Sequence, residues 1–323
     1  MLLMQNITFF DEWSQPIVAL VPAIELERMG MTLSNWGLLL LTAASFAISL
    51  PFNKVLVADL SPILLALLRA VVAFPAVWLL ARLWAGGLPA DRREWATAAL
   101  GGLLVVAVPF TAIAWGQQFI ASGLAGVLYG TMPLMTAAFA HFIIADERVN
   151  LRKLAGFALG LFGIIIVVGP SALLRFGREP LGEAVTLAAP MSYALGTVLL
   201  RRRPPMNPLR LTAGMFLVGQ AIMLPVAIAE GAVDHGLGDL LRLRTAVLLT
   251  GLALAGTAMP AFLNYLLIRR SGATNASLAM FFLPVFALLL GSTILQESVR
   301  FSAIAGLILI LCGSLTVTRQ DKA

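Results

Sequence analysis

One stretch of this chain is written twice. PLMTAAFAHFIIADERVNLRKLAGFALGLFG runs from Pro133 to Gly163, and PVFALLLGSTILQESVRFSAIAGLILILCG runs from Pro284 to Gly313. Each is an apolar run entered through a proline, then a charged knot, then a second apolar run studded with small residues. Pro133 and Pro284 match at an offset of 151, while Glu147 with Glu297, Val149 with Val299, Gly156 with Gly306 and Gly163 with Gly313 match at 150. Loss of one residue within the knot accounts for that step, so the stretches are copies of one unit. Pro109 and Pro260, well outside them, again lie 151 apart. The constraint is strong, because whatever one copy folds into the other must fold into as well.

The runs between these landmarks say what the unit is. Ten of them, at roughly 35–55, 61–82, 95–118, 123–145, 151–169, 181–200, 207–229, 245–268, 274–295 and 301–318, are apolar all round. A helix needs about 20 such residues to cross a hydrocarbon core. A β-barrel would instead alternate apolar and polar residues in segments of about ten. Only 12% of the residues are charged, half the usual share of a soluble domain. The expectation is an all-α integral membrane protein of ten transmembrane helices.

Each copy holds five spans, an odd number, so the second must enter the bilayer upside down relative to the first. The expected architecture is therefore two inverted five-helix repeats, residues 33–170 and 180–318, after an N-terminal extension, residues 1–32. The longest apolar piece of that extension, Ile17–Ile24, is interrupted by Pro22 and too short to span,. No basic segment precedes it, so it does not read as a signal peptide. Met31 stands just before the first long run, and residues 1–30 are expected to be dispensable.

Basic residues set the orientation, since cytoplasmic loops retain Lys and Arg. With the N-terminus inside, fifteen of the 22 basic residues fall on the cytoplasmic side and six outside, with Arg69 inside a span. Both chain ends are expected in the cytoplasm. The formal net charge of +6 has the same origin, so no nucleic-acid partner is expected. Cys312, the only cysteine, reads as a small core residue, and neither a metal nor a cofactor is expected.

The stretches NWGLLLLTAASFAISLPFNK and LSPILLALLRA, with the repeated Pro…Glu…Gly pattern, make the chain resemble the drug/metabolite transporter superfamily, as two tandem EamA-type halves covering about 33–318. The start of the second half departs from the pattern, since Asn207, Pro208 and Arg210 only partly echo Ser61, Pro62 and Arg69. The resemblance implies a ten-helix basket. Its third, fourth, eighth and ninth helices, with parts of the first and sixth, would line a central cavity, and the fifth and tenth would lie outside. It also implies export of amino acids, including aromatic ones, or of other small metabolites across the bacterial inner membrane. The expected partners are a small-molecule substrate and the lipid bilayer, with the protein a monomer.

Candidate site residues follow from polarity inside apolar runs, where a polar group is costly unless it faces a bundle interior. Asn53 ends the first span beside Lys54, which equally suits snorkelling to the outer interface. Trp115, Gln117 and Gln118 close the third span, where an aromatic anchor is the plain alternative. Tyr129 and Thr131 lie in the fourth, Tyr193 in the sixth, Asn264 and Tyr265 in the eighth, and Asn275, Ser277, Phe281 and Phe282 in the ninth. Met132, Met191 and Met280 are expected near the middle of the lining.

Prolines in matching positions of the two halves point to the site, because each frees a backbone carbonyl. Pro109, Pro133, Pro260 and Pro284 are the expected hinges. Arg69, two turns into the second span, reads chiefly as helix-packing support, and His141 as a hydrogen-bonded histidine near the cytoplasm. Gly156, Gly160 and Gly163, like Ser302 and Gly306, form small-residue faces for close helix packing.

No acidic residue falls mid-span, whereas pumps and cation-coupled carriers commonly hold carboxylates there. Facilitated diffusion or exchange is expected, or else proton coupling through an unusual group such as His141. An intramembrane enzyme is disfavoured by the absence of HExxH, of paired mid-span aspartates and of an oriented Ser/His set. A scaffold or receptor is disfavoured by the inverted duplication.

Overall fold

In the computed structural model the described residues are 31–120, 122–144, 149–168, 177–232, 242–283, 285–286 and 301–318. The extension and Pro284, one of the expected hinges, lie outside them, as do the acidic knots around Glu147 and Glu297. The described elements are helices, here named α1 (Leu33–Leu56), α2 (Pro62–Trp84), α3 (Arg92–Phe119), α4 (Leu124–Ile143), α5 (Leu151–Val168), α6 (Pro180–Arg201), α7 (Pro208–Ala229), α8 (Leu243–Ser271), α9 (Ala273–Leu283) and α10 (Phe301–Thr318). Among the described residues, seven helices are long and apolar enough to cross a membrane: α1 to α4 and α6 to α8. Helix is the form such runs must take in lipid, since every backbone N–H and C=O is then satisfied within its own segment.

The helix ends are written in the sequence. Thr32 caps α1 by accepting from the Asn35 N–H. Asp91 does the same for α3, taking the Arg93 and Glu94 N–H groups at 2.8 Å, while Glu94 reaches back to the Ala90 N–H at 2.7 Å. That reciprocal pair satisfies donors otherwise orphaned at a helix start. Pro62, Pro180 and Pro208 open α2, α6 and α7, positions where a missing N–H costs nothing. At the other end of α2 the Gly87 N–H returns to the Ala81 carbonyl at 2.9 Å. The chain can turn that way because Gly86 takes φ +79°, a left-handed conformation open to glycine.

Two long helices are interrupted in the same manner. The α3 backbone widens into a π turn over Gly102–Ala107, and α8 into another over Leu254–Ala258. In each the N–H after the turn, Val108 or Met259, bonds five residues back, to Leu103 or Leu254. A proline follows immediately, Pro109 or Pro260. Having no N–H, it cannot close the ordinary i→i−4 bond, and a widened turn absorbs the register.

α5 and α10 lie against each other through glycine. A Cβ on Gly156 would stand 2.7 Å from the Gly313 carbonyl oxygen, and one on Gly163 would stand 2.7 Å from that of Gly306. Only backbone fits there. In lipid, which offers no hydrophobic drive between helices, such close van der Waals contact is what holds them. Leu79, Phe162, Ile228, Val247 and Ile308 are exposed, an apolar surface that suits acyl chains and would be a liability in water.

Candidate functional site

The polar residues of α1 and α3 meet near the end of both helices. Asn53 Nδ2 donates to Gln117 Oε1 at 2.6 Å, both side chains being buried. Lys54 Nζ donates to the carbonyls of Gln117 and, at 3.1 Å, Ile120, so its charge neutralises the negative end of α3. The remaining amide atoms, Asn53 Oδ1 and Gln117 Nε2, are buried with no hydrogen-bond partner among the described residues. A buried acceptor and a buried donor left unpaired are costly.

Arg69 projects from α2 and is 4% exposed. Its Nε and Nη2 donate to Thr257 Oγ1 at 3.1 and 3.0 Å. Thr257 belongs to the π turn of α8, and its own hydroxyl donates to the Leu252 carbonyl at 2.7 Å. The guanidinium carbon stands 3.9 Å over the centre of the Phe110 ring, an electrostatic attraction to the aromatic face. Across the bundle Asn264 Nδ2 of α8 donates weakly to the Tyr193 hydroxyl of α6, at 3.4 Å.

These groups surround one small cavity. Its wall takes Asn53, Ser49 and Phe46 from α1 and Arg69 from α2. Leu50 of α1, Pro109, Phe110 and Ile113 of α3, Tyr129 of α4, Tyr193 of α6 and Leu283 of α9 complete it. The cavity volume is about 30 Å³, room for about two waters. The wall is mostly aromatic and aliphatic with a few polar groups, and Arg69 is its only charged member among the described residues.

The residues singled out from the sequence are not all in one place. Asn53, Tyr129, Tyr193 and Pro109 line the cavity. Gln117 and Asn264 touch it through their bonded partners. Trp115 instead packs on Phe119, ring centres 4.6 Å apart, and Gln118 is exposed. Thr131 donates to the Leu128 carbonyl within its own helix at 2.6 Å. The Tyr265 hydroxyl donates to the Met206 carbonyl at 3.4 Å. Phe281 fills the hollow over Gly160 of α5, and Pro133 and Pro260 are buried.

Met132 and Met280 are buried, whereas Met191 is 49% exposed and faces outward. His141 Nδ1 accepts from the Val149 N–H at 3.2 Å. Asn275 Nδ2 donates to the Ser271 carbonyl at the end of α8, at 3.0 Å, and the Ser277 hydroxyl to the Thr274 carbonyl of its own helix. Arg69 and Thr257 are the residues that sequence reasoning undervalued. A single arginine in an apolar run was visible, but nothing in the run says that a threonine 188 positions away would receive it.

Comparison with known proteins agrees with a helical membrane fold. The model of the EamA-like transporter family matches residues 35–169 and again 180–319. A probable amino-acid metabolite efflux pump of Salmonella typhimurium (strain LT2) is 28% identical over 300 residues, covering 88% of this chain and 94% of that protein. YoaV of Bacillus subtilis (strain 168), an uncharacterized transporter, is 25% identical, covering 80% of this chain and 88% of that one. A solved crystal structure superposes with a TM-score of 0.66 over 87% of this chain and 95% of its own, at 17% identity, a likeness of fold alone.

Proposed function

The chain belongs to the EamA-like transporter family of the drug/metabolite transporter superfamily, and from that footing we propose that it exports small metabolites of the amino-acid kind across the bacterial inner membrane by alternating access. The cavity carries this reading. It lies where α1 to α4 from the first half meet α6 and α9 from the second, which is where a carrier built of two halves holds its solute. At about 30 Å³ it is too small for an amino acid in this form, so loading requires the halves to part. The uncharged aromatic and amide groups beside Arg69 suit an apolar or zwitterionic solute better than a sugar phosphate, which calls for several arginines. The Salmonella relative, a probable amino-acid metabolite efflux pump, points to the same solute class.

Ten crossings arranged as inverted repeats, residues 33–170 and 180–318, are part of the proposal. Gly156 meets Gly313 and Gly163 meets Gly306. Because Gly156 is the repeat partner of Gly306, and Gly163 of Gly313, the two contacts exchange under a two-fold axis, as in a self-complementary interface. The π turns support it too, since Leu103 with Leu254, Val108 with Met259 and Pro109 with Pro260 keep the 151 spacing. Pro109, Pro133, Pro260 and Pro284 serve as hinges in this scheme. Both chain ends are cytoplasmic on the charge excess.

The test is solute exchange by the purified protein in proteoliposomes, with labelled phenylalanine, leucine and unrelated metabolites, with and without a pH gradient. Exchange of amino acids above protein-free vesicles, with no requirement for the gradient, is expected. Exchange confined to other solutes would replace the substrate class. Absence of flux for every solute would remove the carrier reading.

A further inference from the structure

Arg69 is buried in the wall of the cavity and has no counter-ion among the described residues. Among the described residues its hydrogen bonds go only to the Thr257 hydroxyl, and no other residue of the cavity wall is charged. A guanidinium inside a membrane protein is expensive to keep unpaired. Its five N–H groups are mostly unused, since Thr257 takes one bond from Nε and one from Nη2. The edge carrying Nη1 and the second Nη2 hydrogen is the edge that meets a carboxylate with two parallel bonds. Phe110 beneath the plane and Thr257 at its side hold the fork in one orientation. A side chain serving only to pack would need neither the charge nor this seating.

We infer that Arg69 is the anion anchor of the cavity and that the transported solute presents a carboxylate to it. The inference rests on the carrier reading above and narrows it. The solute's carboxylate supplies the missing counter-charge when it enters, and takes it away on leaving. Asn53 Oδ1, an unpartnered buried acceptor in the same wall, is the complementary seat for an ammonium group. Glycine stands at the matching position of the second half, so the solute is held by its acid end at one pole only.

The experiment is ligand-induced thermal stabilisation of the full chain in detergent. The probes are phenylalanine, phenylalaninamide and 3-phenylpropanoate, and the proteins are wild type, Arg69→Met and Arg69→Lys. Both carboxylates are expected to raise the melting temperature of wild type, and the amide to leave it unchanged. Arg69→Met should bind the carboxylates about 30-fold more weakly or worse, with its ligand-free melting temperature little altered. Arg69→Lys should recover part of the binding. If Arg69→Met does not fold, Thr257→Val removes the seat and leaves the charge, and apparent carboxylate affinity should fall about tenfold.

Equal stabilisation by amide and acid, retained discrimination in Arg69→Met, or no response to either carboxylate overturns the anchor. Response to 3-phenylpropanoate without phenylalanine upholds the anchor and overturns the amino-acid reading.

Discussion

Two helix crossings in this protein share a backbone plan and are filled in opposite ways. α7 crosses the π turn of α3, and α2 crosses the π turn of α8. At the first crossing a Cβ on Gly219 would stand 2.6 Å from Val106 Cγ1, and one on Gly102 would stand 2.8 Å from Val218 and 2.9 Å from the Met215 carbonyl oxygen. Nothing but backbone and a valine fits. At the second, Arg69 bonds Thr257 and lies over Phe110. The positions correspond in the proposed repeat, because Pro75 and Pro225 are 150 apart, as are Arg69 and Gly219, while Val106 and Thr257 are 151 apart.

The difference shows how a duplicated frame divides its labour. The widened turn is kept twice because the proline after it demands it. One copy is sealed with glycine, and the other has gained a charge and the hydroxyl that seats it. On the proposed anchor reading, a single polar pole orients the solute, whereas two equal ones would bind it both ways round.

The comparison is most easily broken at the sealed crossing. Gly102→Leu places a branched side chain against a carbonyl oxygen that cannot move without its helix, so a loss of about 3 kcal/mol is expected. A melting temperature within a degree of wild type would show that the crossing is loose. A second comparison runs beside the first: α1 is tied to α3 by Asn53 and Gln117 at 2.6 Å, and α6 to α8 by Tyr193 and Asn264 at 3.4 Å. Asn53→Leu strands the buried Gln117 amide and should cost about 2 kcal/mol, read as thermal stability of the substrate-free protein.

Val106→Thr writes the α8 hydroxyl into α3. That hydroxyl has a carbonyl five residues back to bond, as Thr257 has, so the cost should be about 1 kcal/mol. Carboxylate binding should stay as it was, since no arginine faces it. Tyr193→Phe breaks only the long bond and should cost about 0.5 kcal/mol. If it costs as much as Asn53→Leu, the two halves are tied equally and the contrast between them fails.

Much of the fold was legible. Helices lie where apolar runs lay, because a span must satisfy its backbone locally. Their ends fall at Thr32, Asp91, Pro62 and Pro208, residues that cap or start helices by their own chemistry. The site was legible in part. Asn53, Tyr129 and Tyr193 stood out as polar groups in apolar surroundings and do line the cavity. Trp115, Gln118 and Thr131 stood out equally and lie elsewhere, because polarity does not say which face of a helix a residue occupies.

Composition, apolar run lengths and an internal duplication thus determined that this chain is a multi-span helical membrane protein whose halves share one plan. They did so because spanning and copying are one-dimensional properties that leave direct marks along a chain. Which side chains meet was decided only by the tertiary structure. The pairing of Arg69 with Thr257 and Phe110, and of Asn53 with Gln117, depends on helix rotation and on the extra residue in each π turn. That rotation is set by glycine contacts between segments far apart in sequence, so no local pattern records it.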